Sequence, residues 1–411
     1  MVLLGSSQTS FAASAGRQDA VARQPVYTGQ RSAETADRPV AGKSIGMSDA
    51  VEHALRFNPG LGAQEAESRS SEEGRKSARG AFGPRLGVSY SATKTESKRD
   101  PSATMGTKNP KMGVYSWGVE VTQPIFQGFR LLSTYQKAAL QADSDKASLR
   151  KAELDMTEQV QTAFLEYLKA GENTRSMRDS LTRLREQLRI AQAYFEVGLS
   201  PRLDVLQAEV DVSEAESLLI EAENTQATAL AKLNTLLGFD ATAVNTYTGT
   251  LKEVGFRYTL EQCLELAYRQ RPDLYVAQKA VEIARKSQKE VQSDYYPQIE
   301  GYYSMTQSGN TPGMQRSGEN GSHVTNWEVG AQATWNVFEW GTTYYADKQA
   351  GWQVTKMRYE EEDLKLQVGY DIKSKLLAVH EAEKRISVAE KGVEQAVEQI
   401  ENTSLKEDKV L

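Results

Sequence analysis

Cysteine is almost absent from this chain, in which Cys263 is the only one among 411 residues. A single cysteine excludes an internal disulfide, and no neighbouring ligand set in the sequence indicates a metal site around it. The three histidines, His53, His323 and His380, are far apart and share no ligand spacing. We therefore predict no metal site and no cofactor, and we interpret Cys263 as a small apolar residue on a helix.

Long apolar runs are also missing. No stretch of about 18 apolar residues occurs, which excludes a transmembrane helix of ordinary length. Only 39% of the residues are hydrophobic and the mean hydropathy is -0.56, whereas 25% are charged, with both signs interspersed. This composition favours elongated helices with solvated faces over a thick globular core.

An excess of positive charge is the third feature that the chain lacks. Its 49 Lys and Arg residues are outnumbered by 55 Asp and Glu residues, which gives a net charge of -6. Nucleic acid is not expected among the partners, because phosphate binding requires clustered basic side chains. The sequence also contains no Ser/His/Asp set and no phosphate-binding glycine loop, so we predict that the protein is not an enzyme.

The N-terminal region resembles a processed leader. Ala13-Ser-Ala15 before Gly16 matches the small-residue site of a signal peptidase, although no basic segment precedes it. We interpret residues 1–15 as the remnant of a signal peptide and residues 16–45 as a disordered polar leader. A polar leader without any cleavage site is the alternative interpretation.

An internal repeat organises the rest of the chain. The segment Met47–Leu61 recurs as Leu260–Leu274, with prolines in equivalent positions, which indicates a duplication. We predict the following domains: a first repeat at 46–240, a linker at 241–257 and a second repeat at 258–411. Each half carries the patterns of a helix, two strands and a very long helix.

The hydrophobic patterns place these elements along the sequence. In the first repeat they predict a helix at about 47–82, strands at 85–94 and 114–125, and helices at 127–197 and 201–237. In the second repeat they predict a helix near 259–295, strands near 298–307 and 326–338, and a helix from about 341 to 405. The second repeat is therefore predicted to be truncated before a final helix.

The long helices carry heptad seams, in which apolar or small residues recur three and four positions apart. Two seams run over 160–195 and 205–236, and only Gly198-Leu-Ser-Pro201 separates them, so we predict an antiparallel helical hairpin. Gly198 suits the left-handed end of the first helix, and Pro201 suits the first turn of the second. The helices alone leave a soluble coiled coil or a filament protein open.

The four predicted strands alternate apolar and polar residues over about ten positions each, which is the length that a tilted strand needs to cross a bilayer. Aromatic residues could supply contacts at the membrane interface: Tyr90, Tyr115, Trp117, Trp327 and Trp335. A half-buried sheet of a soluble protein would alternate in the same way. Unpaired strand edges cost several kcal/mol each in lipid. Protomers are therefore expected to pool their strands, with Glu120, Glu300 and Glu328 facing a water-filled pore.

Two motifs resemble those of TolC-type outer-membrane factors. Gln123-Pro-Ile-Phe126 with Gly128 follows the pattern of the strand-to-helix junction, and Tyr194–Ala208 follows that of the hairpin tip. Together with the repeat and the long coiled coils, the resemblance covers about residues 45–411. It favours the branch of the family that serves type I secretion.

This resemblance implies a mainly α fold with a small β part. Long antiparallel coiled-coil helices would cross the periplasm, and four transmembrane β-strands per chain would contribute to a trimeric 12-stranded barrel. The homotrimer would be a passive export conduit in the outer membrane of a Gram-negative bacterium, as part of a tripartite efflux or type I secretion system. Its partners would be the lipid bilayer, a periplasmic adaptor (membrane fusion) protein and an inner-membrane transporter, and docking would open it.

The resemblance also assigns roles to individual positions. The adaptor-docking tip would consist of Gly198, Leu199, Ser200, Pro201, Asp204 and Val205. Acidic side chains near the end of the last long helix would constrict the entrance, where this chain has Glu401, Glu407 and Asp408. Because the family continues into one more long helix, we expect a fragment or a truncated product. The alternative function is a periplasmic coiled-coil adaptor or a scaffold of a secretion machine.

Overall fold

The structure, a computed structural model, describes residues 44–95, 112–309 and 323–407. The elements occur in a similar order twice. The first set is β1 (Ser44–Ile45), α1 (Met47–Phe57), α2 (Pro59–Gly80), β2 (Arg85–Thr95), β3 (Met112–Gln127), α3 (Arg130–Glu196) and α4 (Arg202–Leu237). The second set is β4 (Thr246–Tyr247), α5 (Leu260–Gln270), α6 (Pro272–Gln292), a 3₁₀ turn (Ser293–Tyr295), β5 (Gln298–Gly309), β6 (His323–Thr334) and α7 (Thr342–Glu407).

Most of the N-terminal residues for which predictions were made lie outside the described ranges. The predicted signal-peptide remnant and residues 16–43 of the predicted leader lie outside the described residues. The last two residues of the leader form β1, which pairs in parallel with β4 inside the predicted linker at 241–257. A two-residue strand has no periodicity that a sequence pattern can reveal, so this pairing was not predicted.

The prediction of single helices over 47–82 and 259–295 is wrong, because each is divided in two. Pro59 and Pro272 begin the second helix of each pair, and the residue before a proline is excluded from the right-handed helical region by the proline ring. The two preceding residues accordingly have ψ angles of 123° and 122°. The breaks let α1 and α5 change direction relative to α2 and α6.

The prediction of a strand over 326–338 is also wrong at its C-terminal end. β5 begins at Gln298, whose partner is Thr334, so β6 has no neighbour to pair with beyond that residue. Trp335 lies just outside the strand, and its Nε1 donates a hydrogen bond to the Tyr295 carbonyl oxygen at 3.2 Å. This bond ties the end of β6 to the 3₁₀ turn.

The four long strands form one antiparallel sheet in the order β2-β3-β5-β6. Residues directly opposite one another share a face of the sheet. Apolar residues from all four strands therefore line up in rungs on one face: Leu86, Val121, Tyr303 and Val329 in one rung, and Val88, Val119, Met305 and Trp327 in the next.

The α3/α4 hairpin packs along the predicted seams. Buried seam residues on the two helices are Val160, Ala163, Ala170, Thr174, Leu181, Val212, Ala215, Ala222 and Leu233. Thr174 Oγ1 lies 3.2 Å from the Ala222 carbonyl oxygen across the seam. Arg178–Glu223 and Arg185–Glu216 bridge the helices at 2.7 Å, one heptad apart. Such exposed ion pairs contribute little stability, so the buried seam mainly sets the register.

The main core lies where α1, α3 and α4 meet the β1/β4 pair. Its largest apolar members are Phe164, Leu233 and Leu237, which are fully buried. Asn234 is also buried, and its Oδ1 accepts hydrogen bonds from Tyr247 Oη at 2.6 Å and Asn245 Nδ2 at 3.1 Å. Burial raises the pKa of Tyr247 to about 12. The phenol therefore stays neutral and keeps the linker attached to the base of the hairpin.

The second set of elements is less buried than the first. Cys263 lies on α5 at the position that corresponds to the fully buried Ala50 on α1, but it is only half-buried. In the first set α4 packs against α1, and no described residue forms a counterpart of α4 after α7. Val393 and Val397 on α7 are exposed.

Helix length and hydropathy together decide whether a helix can span a bilayer. Within the described ranges, no helix is both long and apolar enough to do so. The two longest helices, α3 and α7, carry charged residues along their whole lengths.

Candidate functional site

The hairpin tip is a tight turn closed by backbone hydrogen bonds. Gly198 has φ +76°, as the sequence predicts, and the Leu199 N–H donates to the Tyr194 carbonyl oxygen at 2.8 Å. Ser200 Oγ donates to Asp204 Oδ2 at 2.6 Å, and Asp204 lies in the first turn of α4, where a negative charge is stabilised by the helix dipole. These contacts hold the turn in one conformation.

Pro201 occupies the N-cap of α4, one residue before the first turn in which the sequence placed it. Its φ of -70° and ψ of 154° are extended. The helix begins at Arg202 because the backbone of Pro201 is still extended. The predicted tip residues are thus brought together at one end of the hairpin.

The tip exposes an apolar surface that includes Leu199 of the predicted docking tip and extends to residues that were not predicted. Leu199 and Leu203 are 75% and 71% exposed, and Val197, Leu206 and Val210 are exposed as well. Residues 203, 206 and 210 form a second stripe spaced three and four apart. It is displaced from the seam residues 205, 208 and 212, of which 205 and 208 are half-buried and 212 is buried. That second stripe was the signal that could have identified them. An exposed apolar patch at the end of a long hairpin is suited to binding another protein.

The apolar face of the sheet is not covered by the rest of the described chain. Val88 is 75% exposed and Trp327 is 68% exposed. Trp117 is half-buried between its cross-strand neighbours, and its Nε1 donates to Gln307 Oε1 at 2.8 Å. At the outer edges of this sheet, β2 and β6 each pair on one side only among the described residues.

The opposite face of the sheet carries the predicted acidic residues. Glu120 and Glu328 lie directly across from Ser304 on either side, so all three share one rung, and Tyr302 Oη donates to Glu328 Oε1 at 2.6 Å. Glu300 lies on the same face further along β5, opposite Gln332. All three carboxylates are exposed. The strands therefore separate a charged face from an apolar one.

The predicted constriction residues are placed only in part. Glu401 and Glu407 lie in the last two turns of α7, and Asp408 lies outside the described residues. No group of three His, Cys, Asp or Glu side chains that could hold a metal ion occurs in the ranges that the structure describes.

Polar contacts join the sheet to the helices at the junction of β3 with α3. Arg130, on the first turn of α3, donates to Ser293 Oγ at 3.0 Å and pairs with Asp294. Lys137 Nζ lies 2.5 Å from Glu290 Oε2. Burial opposes ionisation of Glu290, but the hydrogen bonds from Lys137 and Thr134 lower its pKa overall. The carboxylate therefore remains charged and holds α3 against α6.

Comparison with known proteins gives one family and several relatives. The family model for outer membrane efflux proteins matches residues 50–239 and 263–404. Alkaline protease secretion protein AprF of Pseudomonas aeruginosa is 26% identical over 333 residues, which cover 78% of this chain and 66% of AprF. Outer membrane protein TolC of Vibrio cholerae is 24% identical over 312 residues, which cover 74% of this chain and 67% of TolC.

The fold also matches solved structures. The outer membrane protein VceC from Vibrio cholerae superimposes with a TM-score of 0.68 at 15% identity, covering 85% of this chain and 82% of VceC. At that identity the match supports the fold alone. The chain spans about two thirds of the length of AprF and TolC.

Proposed function

Because this chain belongs to the outer membrane efflux protein family, we propose that it forms the channel of a tripartite efflux or type I secretion system. It is an outer-membrane protein with its long helices in the periplasm, and the resemblance expected from the sequence is confirmed. Three copies join their four-stranded sheets into one twelve-stranded barrel. The conduit is passive and catalyses no reaction.

The uncovered apolar face of the sheet is the observation that carries this proposal. Its strands are 11 to 16 residues long, enough to cross a bilayer at a tilt. Lipid offers no hydrogen bonds to the free edges of β2 and β6, and each unpaired group would cost several kcal/mol there. Pairing β6 of one copy with β2 of the next removes every free edge.

The charged face supports the same arrangement. Closing the sheet with Val88 and Trp327 towards lipid turns Glu120, Glu300 and Glu328 towards the interior, where water can solvate them. A polar lining of this kind passes solutes without binding one tightly. Because the name of AprF refers to protease secretion, we propose a secreted protein as cargo, with small-molecule efflux as the second candidate.

The adaptor alternative is less well supported. An adaptor or scaffold would share the α3/α4 hairpin, but it has no use for four long alternating strands with one exposed apolar face. In the proposed channel the tip of this hairpin binds the periplasmic adaptor, through which an inner-membrane transporter delivers cargo. The exposed tip surface supports this role.

Val88→Arg is expected to prevent stable insertion, whereas Ser89→Arg is expected to be tolerated. The two residues are neighbours on β2 but point to opposite faces. An arginine on the lipid face costs about 2–4 kcal/mol at the bilayer midplane, and three chains would each carry that cost. Outer-membrane fractionation and electrophoresis of unheated samples measure the amount of trimer.

Equal loss of trimer in both variants, or no loss in either, would exclude the proposed orientation of the sheet. A soluble wild-type monomer would exclude the channel itself. Each result is read from the same fractionation, so a general defect in expression is detected as a loss of total protein.

Leu199→Asp with Leu203→Asp is expected to reduce export by about tenfold or more without loss of trimer, because burying two carboxylates in an apolar contact is unfavourable. Export is measured both as dye efflux and as protein released into the medium. Val244→Asp with Val254→Asp is the matched control, since these two valines are also exposed but lie in the linker. Unchanged export in the tip variant would show that the tip does not dock a partner.

A further inference from the structure

A cavity of about 490 Å³ lies where the start of α3 faces the end of α6, directly next to the sheet. Gly128 and Ser133 line one side of it, and Gln292 and Tyr296 line the other. The proposed channel places this level at the periplasmic boundary of the membrane, because β3 is followed here by α3 and β5 is preceded here by α6. The cavity thus lies where headgroups would be.

The lower wall of the cavity is positively charged. Lys286 is half-buried and Lys289 is exposed, and both line the cavity. Lys286 Nζ donates to Gln136 Oε1 at 2.8 Å, and no carboxylate of a described residue lies within 4.0 Å of either ammonium group. Glu290, the nearest acidic residue in the sequence, is engaged by Lys137.

Arg130 and Lys137, by contrast, are paired with carboxylates at this junction. Arg130 pairs with Asp294, so it is not available to an added anion. Lys286 and Lys289 lie one turn apart on α6, on the side that faces α3. An anionic group in the cavity would give both ammonium groups a negatively charged partner.

The upper rim of the cavity is aromatic and continues into the apolar face of the sheet. The Phe129 ring contacts the rings of Phe126 and Tyr296 edge to face, with centroids 5.4 and 5.9 Å away. Phe126 is paired with Ile299, which belongs to the apolar face. Tyr296, an aromatic residue with one polar end, belongs to a type that is favoured at the boundary between lipid and water. The cavity therefore has a cationic side and an apolar exit.

The cavity is formed within a single chain and away from the edges of the sheet. It lies below β3 and β5, the two central strands, whereas the proposed contacts between copies use β2 and β6 at the edges of the sheet. Its lining comes from α3, α6 and the residues around them within a single chain. The trimer would thus contain three such cavities, one in each protomer.

We propose that this cavity binds the phosphate headgroup of an anionic glycerophospholipid, with Lys286 and Lys289 as the phosphate ligands. The acyl chains leave past Phe129 and lie along the apolar face of the sheet. This proposal rests on the proposed function, because it requires that face to be in lipid. A bound lipid at each protomer would fix the height of the channel in the membrane and brace α3 against α6.

The test uses the purified detergent-solubilised trimer and short-chain phosphatidylglycerol as the probe, with native mass spectrometry to count bound lipid. Lys286→Gln with Lys289→Gln is expected to weaken binding about tenfold or more, since each lysine near an anionic headgroup contributes to binding. Lys286→Arg with Lys289→Arg is expected to restore binding, which separates charge from folding. The matched control is Lys384→Gln with Lys391→Gln, which replaces two exposed lysines on α7. This variant is expected to bind lipid as the wild type does.

Two further measurements distinguish binding of a lipid from binding of a free anion. Phosphatidylcholine, which has no net charge, is expected to bind weakly to every variant, and inorganic phosphate is expected not to displace phosphatidylglycerol. Displacement by inorganic phosphate would assign the cavity to a free anion and overturn the lipid proposal. Binding that is unchanged by the glutamine pair would overturn it too.

The outcome for the channel is measured separately in the same preparation. A membrane-inserted trimer whose lipid binding does not depend on Lys286 and Lys289 refutes the lipid site alone. Failure of the wild type to form a trimer refutes the proposed function, and the lipid site with it.

Discussion

Gly128→Ala is expected to destabilise the protein by about 3 kcal/mol or more and to deplete the membrane of trimer. Gly128 has φ +56°, a conformation that costs a residue with a Cβ about 1–2 kcal/mol. A Cβ at this position would also lie 2.3 Å from the carbonyl oxygen of Ser293, which is backbone and cannot swing aside. Overpacking of this kind typically costs a further 1–3 kcal/mol. Guanidinium unfolding in detergent, followed by circular dichroism, measures the loss.

Gly198→Ala is the matched control for this substitution. Gly198 also has a positive φ, of +76°, but nothing lies within 4 Å of the position that a Cβ would take. It should therefore show only the conformational cost of about 1–2 kcal/mol. Equal losses in the two variants would mean that the contact of Gly128 with the 3₁₀ turn does not hold the junction together.

The difference between these glycines explains how the sheet is attached to the helices. The chain leaves β3 through two consecutive left-handed residues, Gly128 and Phe129, and enters α3 at Arg130. Arg130 then reaches Ser293 and Asp294, so the same turn is held by a backbone contact and by side chains. Moving the turn by the width of a methyl group would disturb both.

The sequence predicted the long elements well because their patterns extend over many residues. The seam at 160–195 repeats often enough that its period cannot be mistaken, and most of its members between Val160 and Leu181 are buried. Towards the tip the seam residues are less buried, and Phe195 is exposed there. The hairpin ends at Gly198 with little other chain nearby to cover the last turn.

Boundaries set by contacts distant in sequence were not predictable. The end of β6 depends on where β5 begins, and the β1/β4 pair depends on the packing of α1 against α4, so neither is encoded locally. The breaks before Pro59 and Pro272 were encoded locally, and a stricter use of the proline rule would have found them.

In the candidate site, too, features with a local sequence pattern were predicted and features that depend on distant contacts were not. The alternation of the strands placed Glu120, Glu300 and Glu328 on one face correctly, because a strand's period of two needs no partner to be read. The exposed stripe at 203, 206 and 210 was missed, and so were Lys286 and Lys289 on α6, which have no acidic partner among the described residues. Each feature depends on which neighbours are present. The entrance constriction at Glu401, Glu407 and Asp408 stays a prediction.

Phe164→Ala is expected to destabilise the protein by about 3–5 kcal/mol, the usual range for removing a buried phenylalanine and leaving a cavity. Phe164 is 0% exposed and packs against Val160, Leu233 and the edge of the Tyr247 ring. The cavity cannot collapse easily, because α1, α3, α4 and the β1/β4 pair all converge on it. Denaturant unfolding of the detergent-solubilised protein measures the change.

The matched control for that substitution is Leu165→Ala, at the next residue of the same helix. Leu165 is 42% exposed and should lose less than about 1 kcal/mol, because substitutions at the surface of a helix rarely cost more. If both variants lost the same amount of stability, the core between α1 and α4 would not be what holds the base of the hairpin. If only Phe164→Ala unfolds early, the hairpin that carries the tip owes its position to this core, and export should fall in that variant although the tip sequence is intact.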